Sequence, residues 1–183
     1  MSVSEESEHA RFNEVAGVVV EPVRRYLYRR VDQATADDVL SEVLVVLWRR
    51  GIEVPVGGEI PYAIGVARLQ LQNALRSMRR QERLVARIIT IDPPHESVSE
   101  QGAGDPWVGL VRQALGQLGE LDAEVLRLHV WEELAVSEVA EVLTMTPNAV
   151  SIRLHRAKKK LADKIRKMAP GVGHTAAKKG GQS

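Results

Sequence analysis

The stretch that decides the fold runs Ser137-Glu-Val-Ala-Glu-Val-Leu-Thr-Met-Thr-Pro-Asn-Ala-Val-Ser-Ile-Arg-Leu-His-Arg-Ala-Lys-Lys-Lys160. Val139, Ala140 and Leu143 take helical spacing, and Thr144-Met145-Thr146 reads as a turn. Thr146 suits the N-cap of a second helix and Pro147 its first position, where the missing amide is not needed. On that helix Val150 and Leu154 face inward. Asn148, Ser151, Arg153, His155 and Arg156 face outward. A short helix, a tight turn and a second helix with a polar, basic outer face form a helix-turn-helix, with small Ala140 where the two helices would cross. A helix of this kind fits the major groove. Asn148 suits an adenine edge, Ser151 several bases and Ile152 a thymine methyl. Arg153, His155, Arg156, Lys158 and Lys159 suit phosphates, which set affinity and register rather than sequence. Packing against protein alone is the other use of such a pair.

Outward from this motif, the rest of the chain also reads as helical. Leu110, Val111, Ala114, Leu115 and Leu118 mark one helix face after Trp107, and Ala123 to Trp131 forms a short helix. Nearer the N-terminus, Glu14 to Arg30 has helical apolar spacing interrupted by Pro22, which predicts two short helices or one kinked helix. Thr35, three residues before Asp38, resembles a capping box. Ala36, Val39, Leu40, Val43, Leu44 and Leu47 then trace an amphipathic helix to about Arg50. Gly51 to Glu59 reads as a loop. Pro61 opens a helix with Ile64, Ala67, Leu71, Leu75 and Met78 on one side and Arg76, Arg79, Arg80 and Arg83 on the other. Asp92 to Asp105 holds two prolines, two glycines, two serines and four acids without Lys or Arg, and reads as a flexible tether. These features predict an all-α chain of two small helical domains: a bundle over 8–90, a flexible acidic linker over 91–106, a helix-turn-helix domain over 107–168 and a disordered basic tail over 169–183.

Composition narrows the chemistry. The 183 residues carry a net charge of only +1, with 44% hydrophobic and 4% aromatic residues and no cysteine. Disulfides, thiolate metal sites and cysteine nucleophiles are excluded. The five histidines lack metal-ligand spacing, no phosphate-binding glycine loop is present, and no cofactor or enzymatic activity is expected. No apolar run approaches the ~20 residues of a membrane span, the N-terminus is acidic and unlike a secretory signal, and a cytoplasmic protein is expected. The charge is unevenly placed: six arginines against one acid lie between Arg68 and Arg87, and ten Lys or Arg against three acids between Ser137 and Ser183. Two basic blocks around an acidic spacer point to two polyanion contacts, or to two solvated helix faces. Asp37, Asp38 and Glu42 form an acidic edge that is solvated or faces a partner.

Three segments resemble bacterial RNA polymerase sigma factors of the extracytoplasmic-function class over about residues 10–168. Ala36-Asp37-Asp38-Val39 through Ser41-Glu42-Val43 to Leu47-Trp48-Arg49 resembles region 2.2. Pro61-Tyr62 through Gly65-Val66-Ala67-Arg68 to Leu75-Arg76 resembles regions 2.3 and 2.4. Glu124-Val125-Leu126 through Glu138 to Leu143 and Val150 to Ala157 resembles region 4. The resemblance implies that Asp37, Asp38, Glu42, Leu47, Trp48 and Arg49 dock the beta-prime clamp helices of core RNA polymerase, and that the beta flap is a second contact. It implies that Tyr62, Arg68, Asn73, Arg76, Arg79 and Arg80, with the 51–59 loop, melt and read the minus-10 element of promoter DNA. Pro147, Asn148, Ser151, Ile152, Arg153, His155, Arg156 and Lys159 would read the minus-35 element, and an anti-sigma factor is a further expected partner. The chain departs from the family pattern at Tyr62 (often Trp), Leu69 (often Asn), Thr144 (often Gly) and Ser151 (often basic). A stand-alone helix-turn-helix regulator of duplex operators, with residues 10–90 as a dimerisation or sensing domain, is the alternative reading.

Overall fold

A computed structural model describes the backbone of residues 3–50, 53–88 and 106–169, with side chains over 6–50, 53–81 and 107–169. Among these residues there are seven helices and no strand: α1 (Val3–Tyr28), α2 (Gln33–Arg49), α3 (Glu59–Ile88), α4 (Pro106–Gly116), α5 (Glu120–Val130), α6 (Val136–Leu143) and α7 (Pro147–Met168). They divide into two units, the first built on α1–α3 and the second around α4, α5 and α7. The linker expected over 91–106 lies outside the described residues except where Pro106 opens α4, and the expected tail does so after Ala169.

In the first unit each helix packs on the other two. Val15, Val19, Val23 and Leu27 of α1, Val39, Val43 and Leu47 of α2, and Ala63, Ile64 and Ala67 of α3 are all buried. These positions recur at three and four residues, so each helix presents one apolar stripe to a common core. Of the two arrangements expected at Pro22, the single helix forms: the proline lies inside a continuous α1. It removes one backbone donor, but the buried stripe continues through Val19, Val23 and Leu27 on either side of it. The cap of α2 is Asp32, not Thr35: the Asp32 carboxylate accepts from the Thr35 amide at 3.0 Å and from its hydroxyl at 2.8 Å. An acid at this position serves both donors and favours the positive end of the helix.

The buried face of α3 also ends earlier than its apolar spacing implies. Leu71 is buried, Leu75 half-buried and Met78 exposed. The cause is length: a helix of 30 residues runs ~45 Å, while α2 with 17 residues runs ~26 Å. The C-terminal half of α3 outruns its support and carries Arg76, Arg79 and Arg80 into solvent.

In the second unit α7 packs on α4 and α5 through Val150, Leu154 and Ala157, against a core that includes Ala114, Leu115, Val125 and Leu128. The helix-turn-helix forms over the expected residues. Thr146 Oγ1 accepts from the Ala149 amide at 3.2 Å, with Pro147 in the first turn. At the start of α6 the Glu138 carboxylate accepts from the Ala135 amide at 2.6 Å, half of a capping box. The end of α6 is a Schellman turn: the Met145 amide donates to the Ala140 carbonyl at 2.8 Å and the Thr144 amide to Glu141 at 3.1 Å. Thr144 therefore sits at φ +53°, a left-handed conformation that a β-branched residue adopts at a cost.

Candidate nucleic-acid and partner interfaces

Three exposed helix stripes carry the residues singled out in the sequence. The first lies on α2. Asp37, Asp38, Glu42 and Arg49 are exposed, and Trp48 is 43% exposed. Trp48 is not loose: His9 and Phe12 of α1 meet its ring edge-on at centroid distances of 4.5 and 5.0 Å. Such contacts fix the indole's attitude while leaving part of it open. Asp37 accepts from the Tyr28 hydroxyl at 2.8 Å, which raises the Tyr28 pKa above the ordinary phenol value. Leu47 does not join this surface, because it is only 1% exposed and belongs to the core. Val45 does join it. It is exposed and lies one turn from Ser41 and Glu42 on one side and from Trp48 and Arg49 on the other. Sequence reasoning missed it because a valine in an apolar-rich helix reads as core.

The second stripe lies on α3. Tyr62, Leu69, Asn73, Arg76 and Arg80 follow at steps of seven, four, three and four residues, and so share one face. Leu69, Asn73, Arg76 and Arg80 are exposed, and Tyr62 is half-buried. Arg68 and Arg79 flank this line rather than lying on it. The Arg80 Nε donates to the Arg76 carbonyl at 3.3 Å, folding its guanidinium back along the helix. Leu69, 57% exposed, is a large apolar side chain in the middle of a polar and basic face. The preceding loop turns through Gly57 at φ +78°, where a side chain would be strained, and sets Val56 fully in solvent.

The third stripe is the outer face of α7. Pro147, Asn148, Ser151, Ile152, His155, Arg156 and Lys159 are all exposed. Arg156, Lys158 and Lys159 make no ion pair among the described residues. Arg153 behaves differently from its neighbours. Its Nη1 donates to Asp122 Oδ1 of α5 at 2.7 Å, and Lys160 Nζ donates to Asp122 Oδ2 at 2.8 Å. Asp122 is the one buried charged residue of the described core, its side chain 8% exposed. The Lys160 hydrogen bond, with that from Arg153, holds its carboxyl below the usual carboxylate range against the opposing effect of burial. Nothing in the sequence near Asp122 marked it. Its partners lie 31 and 38 residues away, a pairing that only the packing of α5 on α7 creates.

No group of three or more acidic, His or Cys side chains able to hold a metal occurs among the described residues. No described helix is long and apolar enough to cross a membrane.

Residues 109–161 match the family model described as sigma-70, region 4. The match spans α5, α6, the turn and the α7 stripe. No curated protein matches the chain. Solved structures that share its fold include two that cover most of their own length. The sigma factor RpoE from Bartonella quintana, solved with the anti-sigma factor NepR, aligns with a TM-score of 0.61 at 15% identity, covering 85% of this chain and 96% of that one. CnrH, solved with the cytosolic domain of CnrY, aligns with a TM-score of 0.54 at 20% identity, covering 85% and 88%. The chain thus carries a sigma-70 region 4 match over residues 109–161 and shares the fold of a solved sigma factor across 85% of its length.

Proposed function

We propose that the chain is a sigma factor of the extracytoplasmic-function class, which binds core RNA polymerase and directs promoter recognition, melting and transcription initiation. The observation that carries this reading is the outer face of α7. Base-reading types (Asn148, Ser151, Ile152) lie beside phosphate-reading types (His155, Arg156, Lys159) on the exposed side of a capped helix-turn-helix, inside the region 4 match. Each further surface has a matching role. The acidic and aromatic stripe of α2, with Val45 and Trp48 at its apolar centre, suits the clamp helices of the polymerase. The stripe of α3 suits the minus-10 element as a single strand, since arginines track a backbone and Tyr62 and Leu69 offer apolar contact to unstacked bases. Domain boundaries at about 90 and 107 fit these roles, with the intervening acidic residues spanning the two contacts. The protein acts without a catalytic site of its own, in the cytoplasm where the polymerase works. An anti-sigma factor is a natural further partner, as the B. quintana relative was solved with one.

The decisive experiment is transcription in vitro. Core polymerase plus this chain is expected to yield discrete 5′ ends on genomic templates that core enzyme alone does not produce. Failure to bind core enzyme, together with tight binding of duplex operators by the chain alone, would make it a conventional regulator.

A further inference from the structure

The cations of α7 are divided into two sets, and a residue outside the DNA-facing helix makes the division. Five Lys or Arg lie between Arg153 and Lys160. Two of them, Arg153 and Lys160, are seven residues apart, two turns along one side of α7, and both end on the Asp122 carboxylate. The bridge forms one wall of a groove that Met145, Ile152 and Arg156 also line, so it sits directly beside the outer face of the helix.

A buried carboxylate is a poor device for stability alone, because desolvation offsets much of its attraction to the cations, and apolar side chains of similar size do as well. The geometry here is also incomplete. Arg153 gives Asp122 one N–H rather than a paired fork, and its Nε is buried without a hydrogen-bond partner. The guanidinium is thus held by its charge at some cost in unsatisfied hydrogen bonding.

Resting on the reading of α7 as a promoter-binding helix, we propose that Asp122 is a specificity-determining positioning residue that ties Arg153 and Lys160 to α5 and withholds them from the DNA backbone. A phosphate contact adds affinity without regard to sequence, wherever the backbone comes within reach of the cation. With the helix seated so that Asn148, Ser151 and Ile152 face the bases, side chains tied toward α5 contribute little. In a loose complex with unrelated DNA, the same two long side chains would reach any nearby phosphate once released. Withholding them lowers unrelated binding more than promoter binding, and leaves discrimination to the base-facing residues.

The test compares holoenzymes reconstituted from core polymerase and the full chain, on a promoter duplex and an unrelated duplex across a salt series. Asp122→Asn keeps the shape and removes the charge. It is expected to steepen the log–log salt slope on unrelated DNA by about 0.9 for each cation released and to lower the promoter preference on the order of tenfold. Asp122→Glu restores the carboxylate and the parental slope, which a loss of packing would not. Lys160→Gln, with Asp122 intact, should leave the slope on unrelated DNA where it was. A slope and preference unchanged in folded Asp122→Asn, or a slope made shallower by Lys160→Gln, overturns the proposal while the promoter reading stands. A parental holoenzyme without promoter preference overturns the promoter reading and this proposal together.

Discussion

The helices α3 and α7 both carry basic faces, but they present them in opposite ways. α3 extends past the core of its unit, and Arg76, Arg79 and Arg80 stand in solvent; Arg80 donates back to its own helix at the Arg76 carbonyl. α7 is packed by its unit along Val150, Leu154 and Ala157, and part of its charge is drawn inward by Asp122. A face that must hold an unstacked strand gains from mobile cations that follow the backbone. A face that must read base edges gains from a fixed pose and from fewer indiscriminate phosphate contacts. On the proposed reading, the same residue types serve two purposes, according to what lies behind them.

The largest effect expected from any single change falls on the core of the first unit. Leu47→Ala should cost ~2–5 kcal/mol of stability. Denaturant unfolding followed by hydrogen exchange in α1–α3 measures it, and a small cost would mean that Leu47 is a surface residue after all. Next comes Asp38→Ala with Glu42→Ala, on the exposed α2 stripe. Affinity for core polymerase should fall, while stability stays within ~0.5 kcal/mol of the parent. Equal affinity by a competition assay would remove the α2 stripe from the polymerase contact.

On α7, Arg156→Ala should weaken binding to all duplexes and reduce the salt slope by about one. If Arg156 were tied inward like Arg153, the slope would not move. Thr144→Gly relieves a left-handed β-branched residue and should raise the melting stability of the helix-turn-helix by ~1 kcal/mol, since the strain removed exceeds the added chain entropy. The smallest effect is acid dependence. The folded-state pKa of Asp122 is lowered, so its contribution is fully present above its unfolded value of ~3.9 and is lost as pH falls through the folded value. The parent should lose stability relative to Asp122→Asn only below about pH 4. A difference already lost at neutral pH would contradict the bridge.

Much of the molecule was legible as pattern. Helical periodicity located the apolar stripes of α2, α3 and α7. Thr146 and Pro147 announced the start of α7, and the exposed face from Asn148 to Lys159 followed from its phase. These features depend on neighbours within one or two turns, and the sequence lists such neighbours directly. The cap of α2 was less legible: the pattern at Thr35 and Asp38 pointed one turn too late, and only the backbone path shows that Asp32 stands outside the first turn.

What only the tertiary structure decided is which side of each stripe is covered, and by what. Leu47 and Val45 belong to one apolar run, yet one is core and the other surface, since α1 and α3 cover a single side of α2. Arg153 and Arg156 read alike, yet one is bridged and the other exposed, since α5 brings Asp122 under one of them. Local propensity acts through the chain and can be read along it. Burial and charge pairing act through space, between residues whose separation in sequence carries no trace of their contact.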